Sequence, residues 1–174
     1  MAMIRYAAAL STVALAWPAM AADMALTVEI PGKGVADYYR PYVAIWIEKP
    51  DQSLAGNLAV WYDIKLGKVG SNEGNRWLKD MRAWWRKSGH ELNMPVDGLS
   101  GATRGPGEYS VQFPDSSALG TLAPGEYNVV LEAKREMGGS EQVKVPFVWP
   151  PKAATTTQVK GERELGAVSV TVKP

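Results

Sequence analysis

Seven consecutive residues, Tyr42-Val-Ala-Ile-Trp-Ile-Glu48, constrain the fold more than any other stretch. Val43, Ile45 and Ile47 alternate with Tyr42, Ala44 and Trp46, so an extended chain here is apolar on both faces. Such a strand belongs in the middle of a sheet. Weaker strand signals surround it. Ala25 to Ile30 alternates and stops at Pro31-Gly32, and Leu58 to Lys65 puts Leu58, Val60, Tyr62 and Ile64 on one side. Glu108 to Phe113 alternates, and a long run from Tyr127 to Arg135 meets Gly138-Gly139, which reads as a hairpin turn into Gln142 to Trp149. Leu165 to Val172 is a last alternating strand. Short strands separated by turn signals predict a mostly β chain folded as an antiparallel β-sandwich.

One segment changes period. Between about residues 75 and 88, Trp77, Leu78, Met81, Trp84 and Trp85 fall at helical spacing, and Arg76, Lys79, Arg82, Arg86 and Lys87 occupy the other face. The spacing predicts a single inserted amphipathic helix, ended at Gly89, that covers one sheet or one open end. Another pattern repeats: Pro106-Gly107-Glu108-Tyr109 and Pro124-Gly125-Glu126-Tyr127 each precede a strand. Proline fixes φ and glycine permits a tight bend, so the repeat reads as turn grammar, with the tyrosine anchoring the strand.

The first 21 residues have the layout of a secretory leader. Arg5 lies in a short positive region, Ala7 to Trp17 is apolar, and Pro18 precedes the small-residue exit Ala19-Met20-Ala21. The expectation is a signal peptide over 1–21 and a single β-sandwich domain over 22–174, working in the periplasm. No later segment is apolar for the ~20 residues a membrane helix needs, so the chain is not expected to span a membrane. A formal net charge of +1 gives no reason to expect a nucleic-acid partner. The sequence has no cysteine and only one histidine, His90. Disulfides, thiolate zinc sites, iron–sulfur clusters and thiol-attached haem are therefore excluded, and no multi-histidine metal site can form. A hydrolase has one possible histidine base and no nucleophile elbow, which makes it a weak third reading.

The stretch Asp97-Gly98-Leu99-Ser100-Gly101-Ala102-Thr103 carries the most chemistry. It resembles the Asp-x-x-Ser/Thr-Gly-Ala-Thr acceptor motif of covalently flavinylated extracytoplasmic proteins, in which a flavin transferase uses FAD to attach FMN to the final threonine. The resemblance covers this motif alone, and Arg104-Gly105-Pro106 departs from the Thr and Ser residues that usually follow. It implies Thr103 as the FMN attachment residue and Asp97, Ser100, Gly101 and Ala102 as the recognition segment. A hydroxyl that must enter another enzyme belongs on an exposed, mobile loop.

A second resemblance runs over most of the chain. Tyr42 to Glu48, Trp77-Leu78 with Arg82 to Gly89, Ser100 to Arg104, and Pro124 to Tyr127 with Glu132-Ala-Lys-Arg-Glu136 look like the predicted periplasmic proteins grouped as domain of unknown function 2271. That resemblance implies a place beside extracytoplasmic flavin and iron-reduction systems, with membrane electron donors of the PepSY type. The latter half also resembles Ig-like modules, which makes the expected sandwich Ig-like. Together these point to an exported electron-transfer protein carrying FMN on Thr103, with a periplasmic flavin transferase as partner. The alternative is a non-redox Ig-like binding module for a small ligand or protein partner. Trp46, Trp61, Trp77, Trp84, Trp85 and Trp149 read chiefly as core, with a ring-stacking pocket as the other option. The basic helix face reads as solvated surface, with Arg82 and Arg86 as candidates to meet an FMN phosphate or an acidic redox protein.

Overall fold

The computed structural model of the protein describes residues 22–34, 38–65, 73–114 and 118–174. The leader read at 1–21 lies outside the described residues. In chain order the strands are β1 (Asp23–Ile30), β2 (Tyr42–Glu48), β3 (Leu54–Tyr62), β4 (Ser100–Ala102), β5 (Gly107–Phe113), β6 (Gly125–Lys134), β7 (Ser140–Trp149), β8 (Thr155–Lys160) and β9 (Ala167–Lys173). They form a four-stranded sheet in the order β5-β1-β9-β8 and a five-stranded sheet in the order β4-β3-β2-β6-β7. Every pairing is antiparallel except that of β3 with the short β4.

The expectation for Tyr42–Glu48 is met: β2 sits between β3 and β6, at the centre of the larger sheet. Its two faces feed two cores. Val43, Ile45 and Ile47 join Leu26 and Val28 of β1, Leu131 of β6 and Val168 and Val170 of β9 in the layer shared by both sheets. Ala44 and Trp46 face the other way and pack with Val60, Tyr62 and Val130 against Leu78, Met81, Trp84 and Met94. Each fully buried aliphatic side chain contributes about 1.5–3 kcal/mol of transfer free energy, so a strand with both faces covered is a strong local anchor. The helical segment therefore covers the outer face of the five-stranded sheet.

That segment is not the single helix that the spacing predicts. Glu73–Asp80 is a 3-10 helix, Arg82–Lys87 is a short α-helix (α1), and Met81 between them has ψ 76°, outside the helical range. Leu78, Met81 and Trp84 are buried as the stripe requires, whereas Trp77 is 39% exposed. The tighter 3-10 winding advances about 120° per residue and breaks the 100° register on which the stripe was drawn. Gly74 lets this segment approach the end of β3, because a Cβ there would run into the Asp63 carbonyl oxygen. Gly89 follows α1 for a packing reason also: a Cβ would come within 2.7 Å of the Trp84 ring.

The repeated Pro-Gly-Glu-Tyr opens one strand in each sheet, β5 and β6. Both tyrosines act alike: the Tyr109 hydroxyl donates to the Gly105 carbonyl at 3.0 Å and the Tyr127 hydroxyl to the Ala123 carbonyl at 2.8 Å. Each ring thus locks the turn that precedes its own strand, as the tyrosine corners of sandwich folds do. The β6–β7 hairpin is where the glycine pair placed it, with Lys134 opposite Ser140. Its positive φ belongs to Met137, however. Gly138 and Gly139 are small for another reason: added Cβ atoms would strike Arg135 at 2.5 Å and Glu164 at 2.7 Å.

Candidate functional site

The segment Asp97 to Thr103 is a turn followed by an edge strand, not a mobile loop. Gly98 has φ +74°, which an L side chain rarely adopts, and the Ser100 backbone N–H donates to the Val96 carbonyl at 2.9 Å. The Ser100 hydroxyl closes the turn from inside by accepting the Val96 N–H at 2.9 Å. Ser100, Gly101 and Ala102 then run parallel to Val60, Trp61 and Tyr62 of β3. The Thr103 N–H extends the pairing to the Tyr62 carbonyl at 3.0 Å. Asp97 stays exposed on the turn, and Thr103 is half-buried at the end of β4.

Two residues of this run are fitted to Trp61. A Cβ on Gly101 would lie 3.1 Å from Trp61 Cδ1. The Arg104 guanidinium lies over the Trp61 ring at 4.1 Å and over the Tyr109 ring at 4.9 Å, a cation held between two aromatic faces. The backbone on either side of Thr103 is thus fixed by the same buried tryptophan.

Thr103 itself opens into a cavity of about 840 Å³, within the range of small-molecule sites. Tyr38, Tyr39 and Arg40 line it from the chain before β2, Trp77 and Asp80 from the 3-10 segment, and Lys134 to Met137 from the β6–β7 hairpin. Tyr39 (40%), Trp77 (39%) and Met137 (87%) are large apolar side chains left exposed, and all three face this one cavity. Arg40 lies beside the motif, with its Nε 3.8 Å from a Cβ built on Gly105. Arg135 is committed elsewhere, in an ion pair with Glu164 at 2.8 Å. Among the described residues, no carboxylate is within ion-pair distance of Arg40, Lys65 or Lys134.

Burial favours the neutral hydroxyl at three tyrosines of this cavity. Burial pushes the Tyr38, Tyr42 and Tyr62 hydroxyls above their ordinary value. For Tyr38 the Arg135 charge opposes the rise, and for Tyr42 a hydrogen bond donated by the Asp63 backbone N–H does. The Tyr62 hydroxyl is buried without a hydrogen-bond partner of normal geometry, and the neighbouring Ser100 hydroxyl opposes the larger effect of desolvation.

The remaining candidates lie apart. Arg82 and Arg86 are exposed on α1, where the Arg86 Nε donates to the Arg82 carbonyl at 3.2 Å, and neither lines the Thr103 cavity. Trp46, Trp61, Trp84 and Trp149 are core residues, as the packing reading expected. Trp77 is not a core residue and lines the Thr103 cavity. His90 is exposed, with Nδ1 2.8 Å from the Trp85 carbonyl. Among the described residues, no group of three or more His, Cys, Asp or Glu side chains could hold a metal ion. No helix among them is long and apolar enough to cross a membrane. The sequence reading did not select Tyr39, Arg40 or Lys134 as site residues. The signal was the aromatic and basic run Tyr38-Tyr39-Arg40, together with Lys134-Arg135-Glu136 inside the family-like segment.

A family model described as "Predicted periplasmic protein (DUF2271)" matches residues 23–167, from β1 to the first residue of β9, which takes in the Thr103 motif and the residues that line the cavity. The chain belongs to this family. Membership of domain of unknown function 2271 brings a description as periplasmic, in line with the expected localisation, and assigns no chemistry. No curated protein and no solved structure matches the chain.

Proposed function

We propose that the protein is a periplasmic electron carrier that bears FMN covalently on Thr103. The observation that carries this reading is the coincidence of the Asp97-to-Thr103 motif with a cavity into which Thr103 opens. The residues fit the group: the cavity has room for a flavin, presents aromatic rings and bears cations that suit a phosphodiester. In the attachment step, supplied by a flavin transferase with FAD as donor, the Thr103 Oγ bonds to the FMN-side phosphorus. The pyrophosphate P–O bond breaks, AMP leaves and the hydroxyl proton passes to a base of the transferase. A bound flavin supplies one- or two-electron transfer between a membrane donor and an acceptor. This chain's part is to present the hydroxyl at the end of an ordered edge strand, with Arg104 wedged between Trp61 and Tyr109 to hold that strand end in place.

Protein co-produced with an active transferase gains the mass of one FMN moiety on a peptide containing Thr103. Thr103→Val abolishes the gain and leaves the fold intact, because the replacement is nearly isosteric and the backbone N–H to Tyr62 is kept. Wild-type protein that stays unmodified under conditions that flavinylate a known acceptor overturns the proposal. The cavity then becomes the site of a non-redox binding module.

A further inference from the structure

Three features of the cavity are left unexplained by attachment alone, since a transferase needs only a reachable hydroxyl. A chain with this much apolar surface ordinarily hides its large side chains, yet Tyr39, Trp77 and Met137 stand exposed around one concavity. Isolated exposed apolar residues are ordinary, but a cluster lining a hollow marks a binding site. The Trp77 ring is supported from outside, where the Arg76 guanidinium lies over it at 4.9 Å and takes no part in the lining. The break at Met81 and the 3-10 winding turn this ring out of the stripe that buries Leu78 and Trp84. Tyr39 and Arg40 come from a different part of the chain, and Met137 from the tip of a hairpin, at φ 51°. Three separate segments thus bring apolar side chains to one wall system beside Thr103.

Resting on the Thr103 reading, we propose that this cavity is the seat of the planar isoalloxazine ring, with Trp77 and Tyr39 as the residues that contact it. A flat, weakly polar ring gains most from aromatic faces, which hold such rings without needing a matched hydrogen-bond pattern. Arg40, Lys65 and Lys134 then place positive charge along the lining, where a ring that becomes more electron-rich on reduction and a phosphodiester at Thr103 both benefit. Asp63, Asp80 and Glu136 also line the cavity, and the Asp63 carboxylate is engaged locally by the Lys65 N–H at 3.2 Å. The seat distinguishes this chain from one that carries its flavin on an open tether: the ring is shielded from water on the protein's own surface.

Flavin fluorescence tests the seat separately from attachment, because stacking on tryptophan or tyrosine quenches it. In flavinylated wild-type protein the emission is several-fold weaker than that of free FMN, and Trp77→Ala or Tyr39→Ala restores much of it while the mass of the attached group is unchanged. Both side chains are well exposed, so neither change threatens the fold, and an unaltered thermal midpoint checks this. Attached flavin as bright as free FMN in wild type and variants alike overturns the seat and leaves the Thr103 reading standing. If Thr103 is never modified, the unmodified protein is titrated into riboflavin, which has no phosphate. Quenching that weakens about tenfold or more in Trp77→Ala then upholds the cavity as a ring site while the attachment reading fails. Riboflavin that stays bright throughout ends both.

Discussion

Trp61 shows how one residue can give a short sequence motif two meanings. In the amino-acid sequence, Gly101 suggests room for the backbone of a modifying enzyme. In the fold it also makes room for an indole that is 2% exposed and belongs to the core between the sheets. A Cβ at 3.1 Å from Trp61 Cδ1 forces that ring to give by a few tenths of an ångström, and a ring in a filled core has little freedom to do so. Gly101→Ala is therefore expected to destabilise the protein by about 1 kcal/mol, at the low end of overpacking costs. That corresponds to a fall of about 2–4 °C in thermal midpoint. Gly98→Ala, where nothing lies within 4 Å but φ is +74°, destabilises by a different route, through strain in the turn. If Gly101 served the transferase alone, its alanine variant would melt with wild type and lose only flavinylation. Scanning calorimetry of the unmodified protein separates these outcomes.

At the scale of elements, α1 is held by a residue far from it in the chain. Its N-terminal residue before the helix, Met81, offers no side-chain cap. The cap comes from β6, where both oxygens of Glu132 accept backbone N–H groups, from Ala83 at 3.1 Å and Trp84 at 2.8 Å. Lys87 at the other end of α1 pairs with the buried Glu48 of β2 at 3.1 Å. A six-residue helix is too short to be stable alone, so these two carboxylates and the Trp84 ring fix it to the sheet. Glu132→Ala leaves two helix N–H groups unsatisfied under a buried segment and is expected to cost about 2 kcal/mol, with loss of near-ultraviolet circular dichroism from the tryptophans. Glu132→Gln is expected to fall between, since one oxygen can still accept while the amide N–H₂ faces a donor. Equal stability of all three proteins would show that the apolar contacts alone position α1. This is also where reading the sequence falls short. The apolar stripe reported correctly that the segment packs on a sheet, because Leu78, Met81 and Trp84 are buried whatever the winding. It could not report the break at Met81, which depends on where Asp63, Glu132 and Gly74 lie in space. The same contrast holds for strands: β2 announces itself through apolar residues on both faces, whereas β8 (Thr155–Lys160) and β4 are edge strands of polar or small residues whose pairing leaves no periodic trace. The site divides likewise. Thr103 was legible as a local motif, while Tyr39, Trp77 and Lys134 become neighbours only after two connections and a hairpin converge.

Across the whole molecule, buried and half-buried carboxylates join elements that hydrophobic packing leaves separate. Glu48 on β2 accepts from Lys144 of β7 at 2.8 Å and from the Trp46 indole at 2.9 Å, as well as pairing with Lys87. Glu164, in the turn between β8 and β9, holds Arg135 at the end of β6 and the Gly139 N–H. Glu141 on β7 accepts four backbone N–H groups from that same turn, those of Glu162, Arg163, Glu164 and Leu165, at 2.6 to 3.1 Å. The last two carboxylates therefore staple the four-stranded sheet to the five-stranded one at a single end, in a protein with no cysteine to do so covalently. Burial by itself would raise all three pKa values, but the donors outweigh it. Those donors are chiefly Lys144 for Glu48, the backbone N–H groups for Glu141 and Arg135 for Glu164, and each carboxyl ends below the ordinary 4.5. A carboxylate whose pKa is lower in the folded state than in the unfolded chain stabilises the fold fully above the unfolded value. That contribution is lost as the pH falls from there through the folded value. The thermal midpoint should thus be flat from pH 7 to about 5 and fall steeply below about 4.5. In the Glu141→Gln/Glu164→Gln variant the midpoint is already lower at pH 7, and the acid slope is shallower because two of the three linked groups are gone. The ends of β8 and β9 should also exchange amide hydrogens faster in that variant than β2 and β3, whose pairing depends on neither residue. A variant that keeps the wild-type slope, with midpoints merely displaced downward, would mean that acid unfolds the protein through other carboxylates and that the two sheets are joined by their apolar layer alone.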